Sequence, residues 1–219
     1  MHNEAFRHLG LDYAYLAFEV GNDGLKDAVK GLKAMQARGC NVSMPNKTVI
    51  HKYLDKLTPA AELAWAVNTV INDDGVLTVH ITDGVGYMRS LKDAGFDVIG
   101  KKINEKTNCK AKLFRLEDKE ALRAEIADSV IFTNGTGMGM KPYAGQTYIE
   151  KDMLRPDLIV SDVVYQPAKT RLLELAEEVG CSTINGLGMM LFQGAEAFKC
   201  WTGQEMLIDH MKEFLFGDK

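Results

Sequence analysis

The sequence predicts an α/β protein built from two lobes. Two apolar runs joined by Asp74-Gly75 predict a β-hairpin in the first half of the chain, because Asp-Gly is a strong signal for a tight turn. In the second half, the runs 130–134 and 158–165 are almost wholly apolar, which is typical of parallel strands covered on both faces. Helical patterns alternate with these runs, as expected for a protein that packs helices on sheets.

The first lobe is predicted over residues 1–97. A short helix opens it, and an aromatic and β-branched run at 13–20 predicts a strand. Asn22 and Asp23 are then predicted to cap an amphipathic helix that Gly39 ends. The later elements are a strand at 40–44, a helical stretch at 46–55, a helix from Pro59, the hairpin at 69–81 and a helix from Asp83 to about Ala94.

The second lobe is predicted over residues 98–186. It shows a second alternation of strands and helices, and two helices close the chain, with residues 187–219 predicted to pack back on the first lobe. The elements are a short strand at 97–100, a polar stretch at 101–110, strands at 111–116, 130–134, 158–165 and 182–185, and helices at 117–129, 170–180, 188–201 and 205–216.

Composition and charge exclude several classes of function. The net charge of −4 and pI of about 5.8 leave no broad basic surface, so nucleic acid and anionic membrane are not expected partners. No apolar run is long enough to span a bilayer and no signal peptide is visible, so a cytoplasmic location is expected. The four cysteines show no ligand spacing, and no metal site is predicted.

Polar residues stand where three predicted strands end, at 41–47, at 66–70 with 81–84, and at 186–198. Loops at the carboxyl ends of strands are where α/β proteins place ligands. From the residues alone, Asp83 is either a helix cap or a functional carboxylate, and Lys47 is either a solvated amine or a functional one.

These segments together resemble motifs of the shikimate/quinate 5-dehydrogenase family. NVSMPNK at 41–47 is similar to the family's NVT-x-P-x-K, and AVNTVINDDG with TDG at 66–84 is similar to its AVNT and NTDG pair. INGLGMMLFQGAEAF at 184–198 is similar to its C-terminal signature, and the likeness runs through nearly the whole chain. The resemblance implies an N-terminal α/β substrate lobe followed by a Rossmann-like doubly wound lobe, which is incomplete here.

The resemblance implies an NADP- or NAD-dependent oxidation of a ring hydroxyl of shikimate or quinate. Lys47 matches the catalytic lysine that carries the hydroxyl proton, and Asp83 matches the carboxylate that binds the same hydroxyl and orients the lysine. The positions that match substrate-binding residues are Tyr15, Ser43, Asn68, Thr82, Tyr165 and Gln193. Amides and hydroxyls suit a polyol because each group both donates and accepts hydrogen bonds.

The resemblance also assigns residues to the cofactor. The matching positions are Gly137, Val163, Val164, Tyr165, Gln166 and Gly188. Gly137 and Gly139 are equally well explained as turn glycines. The sequence distinguishes neither NADP from NAD nor shikimate from quinate.

The chain departs from the family in two places. No glycine occurs between Gly100 and Gly135, where the family carries a GAGGA-type pyrophosphate loop, and the later GxGxG at 135–139 is followed by Pro142, which argues against a helix there. The first two strands of the doubly wound sheet are therefore predicted to be missing, so residues 111–116 either pair directly with 130–134 or are poorly ordered. The family's N-terminal strand, with its SLSP-like turn, is also not matched.

These departures leave two functional hypotheses. The first is an active dehydrogenase of the shikimate/quinate family. The alternative is a catalytically impaired chain that binds its substrate weakly. Trp65, where the family usually has glycine, either crowds the pocket or fills core, and an open sheet edge would favour a homodimer.

Overall fold

A computed structural model describes residues 1–64, 66–96 and 115–217. These residues form two compact units, one of Met1–Tyr87 with Leu191–Lys219 and the other of Met88–Met190. Trp65, the predicted strand at 97–100, the polar stretch at 101–110 and all but the end of the strand predicted at 111–116 lie outside the described residues. The predicted lobe boundary and the pairing of 111–116 therefore stay predictions.

The first unit is built on a four-stranded mixed sheet in the order β1-β3-β4-β2. Strand β3 pairs antiparallel with both β1 and β4, and β2 runs parallel to β4. The strands are β1 (Gly39–Asn41), β2 (Lys56–Leu57), β3 (Thr69–Asp73) and β4 (Val76–His80). The helices are α1 (His2–His8), α2 (Leu25–Ala34), α3 (Pro59–Ala64), α4 (Asp83–Asp93), α7 (Gly186–Thr202) and α8 (Ile208–Phe216); α4 and α7 are shared with the second unit.

The predicted hairpin is confirmed. Asp74 and Gly75 have φ of 51° and 86°, the positive values that a tight turn between β3 and β4 requires at both central residues. Val70 and Val79, paired across the hairpin, are fully buried. They belong to the same buried core cluster as Leu25 of α2, so the hairpin and α2 share one hydrophobic core.

Three local predictions for the first unit are wrong. Residues 13–20 do not form a strand, because no neighbouring strand among the described residues bonds to them; the side chain of Asn3 instead bonds the backbone of Tyr15. Helix α2 begins without a side-chain cap at Gly24, which is already helical. Helix α2 ends at Ala34, before Gly39, which begins β1. The stretch 46–55, predicted to be helical, forms two 3₁₀ turns, Asn46–Thr48 and Ile50–Tyr53.

The second unit contains a three-stranded parallel sheet in the order β5-β6-β7. Every residue of β6 is buried, as its apolar sequence predicts, whereas β5 is partly exposed. The elements are α5 (Lys119–Ala127), β5 (Ile131–Asn134), a 3₁₀ turn (Lys151–Met153), β6 (Ile159–Asp162), α6 (Arg171–Val179) and β7 (Ser182–Ile184). The α/β fold class is thus confirmed.

Strand β6 is shorter than the apolar run at 158–165 predicts. It ends at Asp162, whose Oδ1 accepts a hydrogen bond from the backbone nitrogen of Val164 at 2.9 Å. Residues 163–166 form a loop at the carboxyl end of the strand. In the described part of the chain, no helix combines the length and the apolarity that crossing a bilayer requires.

Candidate active site

The register of the first sheet brings three candidate residues to one end. Asn41 at the end of β1 pairs with Thr69 at the start of β3, and Thr69 pairs with His80 at the end of β4. The segments that leave β1 and β4 and the segment that enters β3 therefore meet at the same edge. They carry Lys47, Asp83 and Asn68, which explains why residues far apart in sequence converge.

Lys47 and Asp83 form an ion pair. Nζ of Lys47 lies 2.7 Å from Oδ2 of Asp83, and each side chain is 27% exposed. Lys47 is held in the 3₁₀ turn that follows Pro45, where its backbone nitrogen donates to the carbonyl of Ser43 at 3.2 Å. Asp83 is the first residue of α4, directly after β4. The pair is open to small molecules yet held at hydrogen-bonding distance.

Asn68 fixes the carboxylate of this pair. Its Nδ2 donates to Oδ1 of Asp83 and to Oγ1 of Thr82, both at 2.8 Å, and its Oδ1 accepts from the backbone nitrogen of Thr82 at 2.7 Å. Asn68 is 2% exposed and Thr82 is 4% exposed. Both oxygens of Asp83 therefore have a side-chain partner.

Gln193 reaches the same network from α7. Its Oε1 lies 3.5 Å from Nδ2 of Asn68, a long hydrogen bond. Gly86 permits this approach, because a Cβ at that position would lie 2.4 Å from the backbone nitrogen of Gln193. Sequence reasoning missed Gly86, since a single glycine in a helix does not reveal which neighbour needs the space.

Asn41 and Thr69 were also missed, although both lie in the motifs quoted above. Oδ1 of Asn41 accepts from the hydroxyl of Tyr15 at 2.9 Å, and its Nδ2 donates to Oγ1 of Thr69 at 3.3 Å. Thr69 Oγ1 lies 3.4 Å from Oδ1 of Asn68, so the chain of contacts continues toward the carboxylate. Burial, and then the neighbouring Cys40, raise the pKa of Tyr15, which keeps the phenol protonated.

The chemistry of this site suits a hydroxylated ligand. An amine and a carboxylate lie together, which is the arrangement needed to exchange a proton with a hydroxyl group and to bind its oxygen. Amide and hydroxyl groups surround the pair. Ser43 is exposed on the same loop as Lys47.

The candidate residues of the second unit lie in loops at the carboxyl edge of its parallel sheet. Tyr165 is 51% exposed in the loop after β6, whereas Val164 is buried. Asp162 anchors this loop: its carboxylate accepts from Nδ2 of Asn134 at 3.0 Å and from Oγ1 of Thr170 at 2.7 Å, besides the bond to Val164. Sequence reasoning assigned Asp162 no role.

Three glycines near this edge have packing reasons of their own. A Cβ on Gly188 would lie 2.8 Å from Cβ of Ser90, and one on Gly186 would lie 2.2 Å from the carbonyl oxygen of Val163. Gly139 has φ of 97° and lies against Thr170, as the turn interpretation expects. Gly137 is exposed, and a Cβ there would meet nothing nearer than Met140 at 4.0 Å.

These residues fit one end of a nicotinamide dinucleotide. The loops after β5 and β6 lie at the carboxyl edge of a parallel sheet, where such cofactors bind. A pyrophosphate cradle needs a turn that opens a helix. The loop after β5 does not open one, since residues 135–148 contain no helix. Within residues 115–190 the fit is therefore to the nicotinamide end only.

Comparison with known proteins identifies relatives over the whole chain. A family model described as the shikimate dehydrogenase substrate binding domain matches residues 1–70, and one described as the shikimate 5'-dehydrogenase C-terminal domain matches residues 186–215. A shikimate dehydrogenase (NADP+) of Listeria innocua is 60% identical over 99% of this chain and 90% of its own length. One of Streptococcus uberis is 47% identical over 100% and 90%.

The alignment with the Listeria innocua protein also shows a gap. It extends over 261 positions, whereas this chain has 219 residues, so at least 42 positions of the alignment have no residue from this chain.

Solved structures of similar proteins share the fold. Shikimate 5-dehydrogenase from Listeria monocytogenes, in complex with shikimate and NAD, has a TM-score of 0.91 and 59% identity over 98% of this chain and 90% of that one. A shikimate dehydrogenase in complex with NADP+ has a TM-score of 0.84 and 34% identity over 97% and 87%. Quinate dehydrogenase from Corynebacterium glutamicum, in complex with NAD, has a TM-score of 0.82 and 25% identity over 97% and 91%.

Proposed function

Because this chain belongs to the shikimate dehydrogenase family, we propose that it catalyses the reversible NADP- or NAD-dependent oxidation of a ring hydroxyl of shikimate. The observation that carries the proposal is the Lys47–Asp83 pair at 2.7 Å, with Asp83 held by Asn68. The names of the relatives at 47–60% identity support shikimate over quinate; the names print NADP+ as the cofactor, and the Listeria monocytogenes structure at 59% identity holds NAD.

Lys47 and Asp83 divide the work on the hydroxyl. When the alcohol is oxidised, the C–H bond releases a hydride, for which the bound nicotinamide supplies the acceptor. Lys47 first releases a proton to water, and the O–H proton then passes to its amine, which restores the ammonium ion of the pair. Asp83 accepts a hydrogen bond from the same hydroxyl and stabilises the ammonium ion through Oδ2, while Asn68 holds Oδ1.

The surrounding amides and hydroxyls set the choice of substrate. Asn68, Thr82 and Gln193 carry groups that both donate and accept, and in this proposal they bind the hydroxyl next to the reacting carbon. A ligand that lacks one hydroxyl leaves such a partner unpaired, which costs about 1–3 kcal/mol. Tyr15 and Ser43 add two further hydroxyl groups for binding the substrate. Tyr165, with residues 137, 163–166 and 188, is proposed to bind the nicotinamide end of the cofactor.

One specific observation supports the alternative of a catalytically impaired chain. The sequence has no glycine between Gly100 and Gly135, and at least 42 positions of the alignment with the Listeria innocua protein have no residue from this chain. In this case the first unit binds shikimate without efficient turnover.

The two candidates separate in one assay. Formation of reduced nicotinamide is measured with shikimate and NADP+ or NAD, for the native chain, Lys47→Ala and the exposed control Lys52→Ala. The proposal expects turnover by the native chain and the control, and a loss of about 10²- to 10⁴-fold in Lys47→Ala.

Calorimetric titration with shikimate completes the test. Absence of turnover together with shikimate binding that Asn68→Ala weakens would establish the impaired chain. Absence of both turnover and binding would exclude both functions.

A further inference from the structure

A cluster of three metal-ligating side chains lies on two helices of the first unit, away from the residues of the active site. Glu4 and His8 stand one turn apart on α1, and His210 lies in the first turn of α8. One ligand atom from each lies within 4.8 Å of those of the other two. We propose that Glu4, His8 and His210 bind one divalent transition-metal ion of the Zn²⁺ class.

The distances between the three ligand groups are close to those found between the ligands of a bound metal ion. Nε2 of His210 lies 3.0 Å from Oε1 of Glu4, and the rings of His8 and His210 have centroids 4.1 Å apart. Zinc binds imidazole nitrogen and carboxylate oxygen at about 2.0–2.2 Å, which places neighbouring ligand atoms about 3–3.5 Å from one another. His8 is exposed, so a small rotation of its side chain closes the widest separation.

The donor set selects the class of ion. Two imidazoles and one carboxylate suit Zn²⁺, Ni²⁺ and Cu²⁺, whereas Mg²⁺ and Ca²⁺ require mostly oxygen ligands. Three protein ligands leave a fourth position to water.

Hydrophobic packing holds the two ligand-bearing helices together in the absence of an ion. Ala5 and Leu9 of the α1 segment face Leu207 and Met211 of the α8 segment around the two histidines. Ala5 and Met211 are buried in one core cluster. Little chain ordering is therefore needed for binding, and an ion would link two helices about 200 residues apart in sequence.

Arg7 opposes binding. Its guanidinium bonds both oxygens of Glu4, at 2.5 and 3.1 Å, and its side chain is 71% exposed. A divalent ion at Glu4 must either share Oε1 with this group or displace it. Removing the positive charge of Arg7 should consequently strengthen metal binding, whereas removing either histidine should weaken it.

The test is calorimetric titration of the full chain, without an affinity tag and after chelator treatment, with ZnCl₂. We expect one ion per chain, at least tenfold weaker binding in His8→Gln and in His210→Gln, unchanged binding in the control His80→Gln, and tighter binding in Arg7→Gln. Zn²⁺ should also raise the melting temperature of the native chain but not that of His8→Gln.

Two results would overturn the proposal. One is the absence of Zn²⁺ binding to the native chain. The other is equal binding by His8→Gln, His210→Gln and His80→Gln, which would place any bound ion elsewhere, for example on a cysteine thiol. Circular dichroism of each variant establishes that it is folded, and the exposed position of His8 makes that substitution the safer of the two.

Discussion

Each unit contains an Asn–Asp pair next to the ends of its strands, and the two pairs differ in exposure and in role. In the first unit, Nδ2 of Asn68 donates to Asp83 at 2.8 Å, and the other oxygen of Asp83 faces Lys47, with the side chain 27% exposed. In the second unit, Nδ2 of Asn134 donates to Asp162 at 3.0 Å, but Asp162 is 1% exposed.

The difference lies in what the remaining oxygen contacts. Oδ2 of Asp162 accepts from Thr170, the residue that caps α6, so this carboxylate joins β5, β6 and the helix that follows. Oδ2 of Asp83 instead contacts an amine that water and ligands can reach. An aspartate whose hydrogen-bond partners are all buried stabilises the fold. An aspartate whose partner is accessible to solvent is also available to a ligand. Substitutions should therefore lower stability in the second unit and function in the first.

The largest expected loss of stability follows from removing the buried carboxylate of Asp162. Asp162→Ala leaves the donors of Asn134, Val164 and Thr170 unpaired, each at about 1–3 kcal/mol. We expect the free energy of unfolding to fall by about 3–5 kcal/mol in urea titration. The control is Asp157→Ala, whose carboxylate is 77% exposed and which should cost less than about 1 kcal/mol. Equal losses in the two variants would contradict the comparison.

The next effect concerns a buried group of the first unit that lacks a partner. Nδ1 of His2 has no hydrogen bond, and the ring lies among Tyr15 and Trp201, with centroids 4.5 and 5.2 Å away. Burial, and then the amino group of Met1, lower the pKa of His2 from 6.5 to about 4. Between these pH values the unfolded chain binds more protons than the folded chain, so stability falls as the pH falls.

Over that window, His2 should account for a loss of about 3 kcal/mol or less. His2→Phe removes the titrating group, so its unfolding free energy should depend less on pH between 6.5 and 4 than that of the native chain. Urea titrations at several pH values measure both slopes. Identical slopes would show that His2 does not titrate in this range.

Part of the fold and site could be predicted because the signals are local. Asp74-Gly75 fixes the hairpin through the backbone conformation of two residues. Once the hairpin is placed, its register brings the segments around Asn68 and Asp83 to one end of the sheet, and the pairing of β1 with β3 adds the segment of Lys47. The family resemblance added their chemistry, and the structure confirms that they lie together.

Other features depend on distant partners, and no local pattern reveals them. Residues 13–20 have the composition of a strand, but a strand also needs a neighbour with which to form a ladder. Asp162 and Asp83 stand in similar places in the sequence pattern, since Asp162 ends β6 and Asp83 follows the end of β4 by three residues. Only the partners of its second oxygen and its burial show that Asp162 is structural.

Two glycines of α4 test how closely the site depends on helix packing. In Gly86→Ala the new Cβ would lie 2.4 Å from the backbone of Gln193, so α4 and α7 must separate at a cost of about 1–3 kcal/mol. At Gly84, nothing lies within 4 Å, and Gly84→Ala should stabilise the helix by about 0.5–1 kcal/mol. Thermal unfolding measures both changes. Shikimate affinity should fall in Gly86→Ala alone, and equal effects of the two variants would show that Gly86 does not position Gln193.

The smallest expected change in stability is at the carboxylate of the active site. Asp83→Ala removes an ion pair that is partly exposed, and such pairs contribute about 0–1 kcal/mol. Asn68 keeps its bonds with Thr82, so little buried polarity is left unpaired. The unfolding free energy should consequently change by less than about 1 kcal/mol, while shikimate binding measured by calorimetry is weakened at least tenfold. If Asp83→Ala destabilised the chain as much as Asp162→Ala, the carboxylate would be a structural group and the contrast between the two units would fail.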